Sequence, residues 1–432
     1  MATSPTSPMS PTAPGTVGWP LVGDKSYEFY KNPRDFLNKY MTQNKSRVFS
    51  VRFLNKPTVF VCSNSGVEKV LADGGEHLEL GYKAFMGQIF GDNILFTNGE
   101  EAQVLRQSLS QLFTEDSVRT YHQTIDRVLN KKLASMDISQ PKCLYAFFKQ
   151  LVTEICLSLF LGLDFQDAQE VSDTIISMTT THWHGIISVP LPLKIPGRGG
   201  ASSYSKALDA KKKLLEIIKE RRVKTDKTFP QHISTIAHDP AVQNDTFVNN
   251  HLLLFTSALV PKALASILTS FAVEVGQKDK LSWQTECLSN PDFMDAIFLE
   301  VQRLYPAFLG GRRIVTQDYE IDGYLVPRDH AVVFMTFAAH RDPAVFEDPE
   351  EFRPERWTNC SADMKSKLFC FGAGPRGCLG QRLVWDIIKS TVNKVMGAYQ
   401  WHLHDNQELS QKWLPVSRPK GEILATFTKR DQ

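Results

Sequence analysis

The residue best placed to do chemistry is Cys378, near the end of the run FCFGAGPRGCLG (residues 369–380). Gly372, Gly374 and Gly377 precede it, Gly380 follows, and a helical apolar stretch (Leu383, Val384, Trp385, Ile387, Ile388) begins at once. Glycine adopts positive φ without penalty, so such a loop lets backbone approach a flat ligand closely. A cysteine just ahead of a helix N-terminus meets the positive end of the helix dipole and a group of N–H donors, which stabilise its thiolate. With Arg376 two residues before it, the arrangement suits an anionic, planar metal cofactor held through sulfur. Phosphate is a competing ligand, but the Lys-Ser/Thr pair of a phosphate-binding P-loop is missing. Taken alone, the bland alternative is a buried structural cysteine.

A second pair stands upstream. Glu300 and Arg303, in FLEVQRLYP, are three residues apart and therefore neighbours on one helix face. On a solvated face such a pair contributes a few tenths of a kcal/mol. Here the helix also carries an apolar stripe of Phe293, Ile297, Val301 and Leu304 and stops at Pro306.

Together these motifs carry a resemblance. Phe371, Gly374, Arg376, Cys378 and Gly380 fall on F-x-x-G-x-R-x-C-x-G, Glu300 and Arg303 on E-x-x-R, and FRPERW places Arg356 third in order. The set resembles the heme loop and Glu-Arg-Arg cluster of the cytochrome P450 family, over a span from about Gly18 (GWPLVGD) to the C-terminus. The resemblance implies the family's fold, mainly α (α+β), with small β-sheets around a buried heme b (iron protoporphyrin IX). It implies Cys378 as the iron ligand, Phe371, Gly372 and Gly380 beside the cofactor, and Glu300, Arg303 and Arg356 as a buried cluster behind it. Arg106, Arg313 and Arg376 are then candidates for the heme propionates, with Arg312 an alternative to Arg313. Arg106 lies in GEEAQVLRQSL, similar to the family's W-x-x-x-R, but Ala102 replaces the Trp.

The chain departs from the family where dioxygen is handled. Ordinary members carry an acid and a Thr in A-G-x-[DE]-T on a long helix, delivering protons so that the O–O bond breaks. Aligned by the preceding Leu-Leu-Phe, the acid becomes Leu259 and the Thr becomes Val260, neither with a transferable proton. Pro261 removes a backbone hydrogen bond and predicts a kink. Two readings stay open. Either the protein is a monooxygenase in which Thr256, Ser257 or a water in the kink relays protons, or it is a reductase-independent isomerase, dehydratase or peroxygenase. A heme-binding protein without catalysis is a third, minor reading. A monooxygenase would need a separate NADPH-dependent reductase, because neither an iron–sulfur Cys set nor G-x-G-x-x-G is present.

IPGRGGASSYSKALDAKKKLLEIIKERR is similar to the corresponding region of members acting on retinoids, sterols and cyclic terpenoids. By the same resemblance the substrate walls are Tyr82, Phe85, Met86, Ile89 and Phe90, then Phe255, Ala258 and Leu259, then Ala307, Phe308 and Leu309. All but Tyr82 are fully apolar, as a hydrophobic terpenoid- or sterol-like small molecule of specialised metabolism would require.

The elements that must position these residues read as follows. Residues 48–62 alternate like a β-hairpin around Asn-Lys-Pro. Residues 100–300 are mostly helical, with an apolar helix over 144–163, a Lys-rich amphipathic helix over 204–222 and a last helix from about Gln381. Between the first two, Pro190, Pro192 and Pro196 forbid regular helix over 186–200. Val189, Leu191, Leu193 and Ile195 there form either a membrane-dipping surface or a lid. Residues 251–271 are long enough to span a bilayer, but Lys262 at their centre favours a buried helix.

No linker interrupts residues 18–432, so one heme-thiolate catalytic domain is expected after a disordered Pro/Ser/Thr leader over 1–17. That leader has neither the charged start nor the apolar run of a signal peptide or membrane anchor. A cytoplasmic protein, or one peripheral to the endoplasmic reticulum surface, is therefore expected. With 49 Lys+Arg against 47 Asp+Glu, the net charge of +2 gives no basic excess for nucleic acid. Seven scattered Cys with no C-x-x-C pair exclude a disulfide scaffold.

Overall fold

The computed structural model describes residues 10–163, 169–188, 194–195, 200–223, 239 and 244–430. Contacts divide the chain into two compact units. The first comprises Met1–Gly81, Leu309–Glu351 and Ser361–Gly377, the second Tyr82–Phe308, Phe352–Cys360 and Cys378–Gln432.

The first unit is built on a six-stranded sheet. Its strands are β1 (Gly15–Thr16), β2 (Val48–Phe53), β3 (Lys56–Val61), β4 (Leu78–Leu80), β5 (Gly311–Val315) and β6 (Ala331–Phe334), ordered β1-β2-β3-β6-β5-β4. The expected hairpin is β2–β3, antiparallel, with Phe49 opposite Phe60 and the two rings stacked at 5.4 Å. Leu54 and Asn55 both take positive φ (50° and 55°), the geometry that matches a two-residue turn to strand twist. Helices α1 (Pro33–Asn44) and α2 (Asn64–Ala72) flank the sheet sequence. The leader differs from expectation. Residues 1–9 lie outside the described residues, but β1 pairs in parallel with β2, the Ser50 N–H donates to Pro14 O at 2.7 Å, and Ala13 is buried. Backbone pairing fixes these residues, and it asks nothing of their side chains.

The second unit is helical. Among its helices are α3 (Lys83–Phe90), α4 (Gly99–Ser110), α5 (Glu115–Ala134), α6 (Leu144–Leu161), α7 (Gln169–His184), α8 (Ser203–Val223), α9 (Asp245–Leu253), α10 (Leu259–Val275), α11 (Pro291–Leu304) and α12 (Gln381–Ala398). Among its strands, β7 (Gln411–Lys412) and β8 (Arg418–Pro419) form an antiparallel pair. Helix α6 ends on Gly162 in the left-handed region (φ 60°), whose N–H closes the last turn.

Helix α6 and residues 245–275 have the length and mean hydropathy (1.5 and 1.7) of membrane spans, yet 78 % and 81 % of those windows is buried inside the protein. On α10 the residues Leu264, Ala265, Leu268, Phe271, Ala272 and Val275 are fully buried at helical spacing, so this is a core helix. Between α9 and α10, Leu254–Ala258 is π-helical. Pro261 has no N–H to offer the Ser257 carbonyl, and the chain widens over the turn just before it. The kink predicted from Pro261 thus takes the form of a π turn.

Candidate functional site

The cysteine loop is shaped from both of its ends. In the first unit, the Phe369 N–H donates to His340 Nε2 at 2.8 Å, and Gly372 N–H closes a turn on Phe369 O at 2.9 Å. Gly374 has φ 60°, and a Cβ there would lie 2.4 Å from Leu71 O, so this position admits glycine only. His340, fully buried, was not singled out from sequence, since its role depends on a partner 29 residues away. In the second unit, Cys378 sits just ahead of α12 and is exposed as a residue, although its thiol is packed among neighbouring atoms. Burial among neighbouring atoms pushes that thiol above its ordinary value, against the opposing pull of the Gly380 N–H and the Arg106 guanidinium. The thiolate expected from the helix dipole is therefore not obtained from the protein alone. Desolvation wins, and a metal cation is the kind of partner that reverses it.

The propionate candidates divide between the units. Arg313, in the first, is 6 % exposed, lies 5.1 Å from the centre of the Phe334 ring and donates to Arg312 O at 3.1 Å. No carboxylate among the described residues pairs with it, so this buried cation fits an anion such as a propionate. Arg376 closes a short 3-10 turn in the same unit and is half-buried. Arg106, on α4 in the second unit, is held below its ordinary value by burial, with Cys378 acting the other way. Ala102, where the family carries Trp, is 1 % exposed.

Helix α11 is set by Asn290, whose side chain accepts the Phe293 N–H, and by Pro291 in its first turn. It places Glu300 and Arg303 in the interior, both 0 % exposed. Glu300 receives Arg303 Nε at 2.9 Å and Nη2 at 2.8 Å, Arg356 Nε at 3.0 Å, the Arg353 N–H at 2.8 Å and Trp357 Nε1 at 2.9 Å. Burial alone would raise this carboxyl. Arg303, the Arg353 N–H and Arg356 outweigh it, so Glu300 lies below its ordinary value. The structure thus brings Glu300, Arg303 and Arg356 together and adds Trp357, which the motif FRPERW already displayed.

The two hydroxyls proposed as proton relays are both engaged. Thr256 Oγ1 donates to Leu252 O at 2.7 Å. Ser257 Oγ lies 2.7 Å from His182 Nδ1, and His182 Nε2 lies 2.8 Å from Ile89 O. A carbonyl only accepts, so Nε2 carries the ring proton and Nδ1 accepts from Ser257. Burial pushes His182 down to about 4, which keeps it neutral. His182 was missed because a lone histidine on an apolar helix gives no sign of a partner 75 residues on.

Part of the predicted substrate wall, Ile89 and Phe90, lies against this chain of bonds. Phe90 meets His182 edge-on at 5.4 Å and Trp183 at 6.3 Å, and Trp183 meets Phe308 at 6.3 Å. Phe255 packs on Phe160 at 5.1 Å and on Phe113 at 6.0 Å, and Phe113 reaches within 3.5 Å of a Cβ position at Gly380. Ile89 and Ala307 are buried, whereas Tyr82 and Phe85 are half-buried, 6.1 Å apart. Leu309 is buried in the first unit. The side chains of Ala258 and Leu259, and of Val189, Leu191, Leu193 and Ile195, lie outside the described residues.

A helical unit that carries a cysteine ahead of a helix, a buried Glu-Arg-Arg set and an apolar wall has the makings of a heme-thiolate oxidoreductase. The sequence profile described as Cytochrome P450 matches residues 13–256 and 263–427. The chain is 26 % identical to "Putative cytochrome P450 120" of Synechocystis over 98 % of each chain, and 25 % identical to "Beta-amyrin 11-oxidase" of Glycyrrhiza uralensis over 97 % of this chain and 91 % of the other. The solved structure of retinoic acid bound cyanobacterial CYP120A1 superposes with a TM-score of 0.82 at 23 % identity, over 98 % of this chain and all of the other. The chain belongs to the cytochrome P450 family, whose members are oxidoreductases that bind heme b. The profile's gap, residues 257–262, is the stretch from Ser257 to Lys262 where the oxygen-handling residues were expected and not found.

Proposed function

We propose that the protein is a monooxygenase that oxidises a hydrophobic terpenoid- or sterol-like small molecule, with Cys378 as ligand to heme b. Bound there, the heme supplies the one-electron and oxygen chemistry. Arg313, Arg106 and Arg376 would hold its propionates, and Phe371, Gly372 and Gly380 would lie beside it. The observation that carries this reading is Cys378 itself, an exposed residue whose thiol lies beside the Gly380 N–H, at the end of a loop whose Gly374 tolerates no side chain. Phe90, Trp183, Phe308 and Phe255 give the apolar wall, and relatives such as "Beta-amyrin 11-oxidase" support an isoprenoid substrate. Electrons would come from a separate NADPH-dependent reductase. Because the Thr256 and Ser257 protons are directed to Leu252 O and His182, the proton relay in this reading is a water in the π turn, beside the carbonyl that Pro261 leaves without its usual donor.

A second reading is favoured by those same engaged hydroxyls. A chain that offers no side-chain proton at 256, 257, 259 or 260 suits a peroxide, or a substrate that already carries an O–O bond. Comparing turnover of a terpenoid panel with NADPH plus reductase against turnover with hydrogen peroxide alone separates the two. Replacement of Cys378 by Ser is expected to abolish the thiolate spectrum of the ferrous carbonyl form, and an unchanged spectrum would overturn the ligand assignment.

A further inference from the structure

In the second unit, five side chains that carry or can carry positive charge lie near one another, with no acid paired to them among the described residues. Lys149 of α6 and Arg418 of β8 lie against one ring, the ammonium 6.0 Å and the guanidinium 5.4 Å from the centre of Tyr145. Lys412 of β7 stands directly opposite Arg418 in the ladder, and β8 packs against α10, which carries Lys262. His184, at the end of α7, is held below its ordinary value by burial and then by Arg418, Lys262, Lys412 and Lys149.

Among the described residues, none of the five is ion-paired with a carboxylate. Lys412 is exposed, Lys149, His184 and Arg418 are half-buried, and Lys262 is 1 % exposed, so the positive charge runs from the surface into the core. Three of these cations could simply rest their stems on apolar surface and extend their charges to water. Lys262 cannot. Its Nζ reaches Thr179 Oγ1 at 3.4 Å, and that hydroxyl gives its own proton to Ile176 O at 2.8 Å. A buried amine with one long hydrogen bond, near Lys149 and His184, is a group whose charged form an anion would stabilise.

The cluster adjoins the apolar wall. The Ser417 N–H, next to Arg418, donates to Ala307 O at 3.0 Å, and Trp183, next to His184, touches Phe308. We propose that Lys149, Lys262, Lys412 and Arg418, with His184, bind an oxyanion, carboxylate or phosphate, carried at one end of the lipophilic substrate while its apolar body lies along Ala307, Phe308 and Trp183. This rests on the lipophilic-substrate reading above.

The test uses heme-loaded enzyme with a normal thiolate spectrum, as wild type, as Lys149→Gln/Arg418→Gln and as Lys262→Met. Farnesoic acid and farnesol share one carbon skeleton and differ in charge, and equilibrium dialysis at low ionic strength reads the affinity of each. Inorganic phosphate, against chloride at equal ionic strength, is scored by melting temperature. The acid is expected to bind wild type roughly tenfold more tightly than the alcohol, with that preference lost in both variants and reduced by salt. Equal affinities, or a preference that survives in both variants, overturn the proposal and leave the lipophilic-substrate reading standing. Failure of both compounds to bind counts against that reading instead, and phosphate then decides: a rise in melting temperature lost in both variants supports the oxyanion site, and no rise overturns it. A phosphate effect beside equal acid and alcohol affinities assigns the cluster to a free ion and overturns the substrate-borne anion.

Discussion

Glu300 on α11 and Lys262 on α10 are both sealed in the second unit, 0 % and 1 % exposed, on helices that pack against one another. Glu300 is met by Arg303, Arg356, Trp357 and the Arg353 N–H, and stays ionised. Lys262 has one hydroxyl at 3.4 Å, and burial, with Lys149 adding to it against Cys156, pushes it down to about 7. A buried charge supplied with donors ties distant segments together. A buried charge left nearly bare destabilises the fold.

Removing the well-supplied charge should have the largest effect. Glu300→Ala removes the carboxylate that Arg303 and Arg356 share and is expected to cost roughly 3–5 kcal/mol, read by denaturant unfolding, and to yield heme-free protein. Soluble, fully heme-loaded Glu300→Ala would break the contrast. Lys262→Met should act in the opposite direction, raising stability by about 1–4 kcal/mol in the absence of ligand.

The pH profile sharpens the same contrast. Between about 7 and 10.5 the unfolded chain keeps a proton on Lys262 that the folded chain has released, so stability should rise with pH across that window. Lys262→Met should flatten this slope, and an unchanged slope would show that other groups cause it. For Glu300, held below its ordinary value, stability is complete above the unfolded value and should fall away as pH drops below about 4.3. The smallest effect is expected at Ser257. Ser257→Ala leaves His182 Nδ1 without a donor and should cost about 1 kcal/mol in thermal unfolding. A loss as large as that of Glu300→Ala would mean that the π turn is braced as heavily as the cluster on α11.

What could be read from the sequence was what is encoded locally. The loop around Cys378 and the Glu300–Arg303 pair lie within a few residues of chain, where helical spacing and glycine placement speak directly. Arg356 came from its motif, and Trp357 beside it could have. His182, His340 and the cations around Tyr145 were not legible, because each depends on partners that only folding brings near. The leader was misjudged for a different reason. Its composition describes side chains, whereas residues 11–16 are held through backbone N–H and C=O groups, which composition does not weigh.

That strand at residues 15–16 has a practical consequence. A protein chemist trimming the Pro/Ser/Thr segment back to Gly18 to ease crystallisation would strip one border of the sheet. The uncovered backbone of Val48–Phe53 would then be open to pairing with a neighbouring molecule, and the shortened protein should aggregate where the untrimmed one does not.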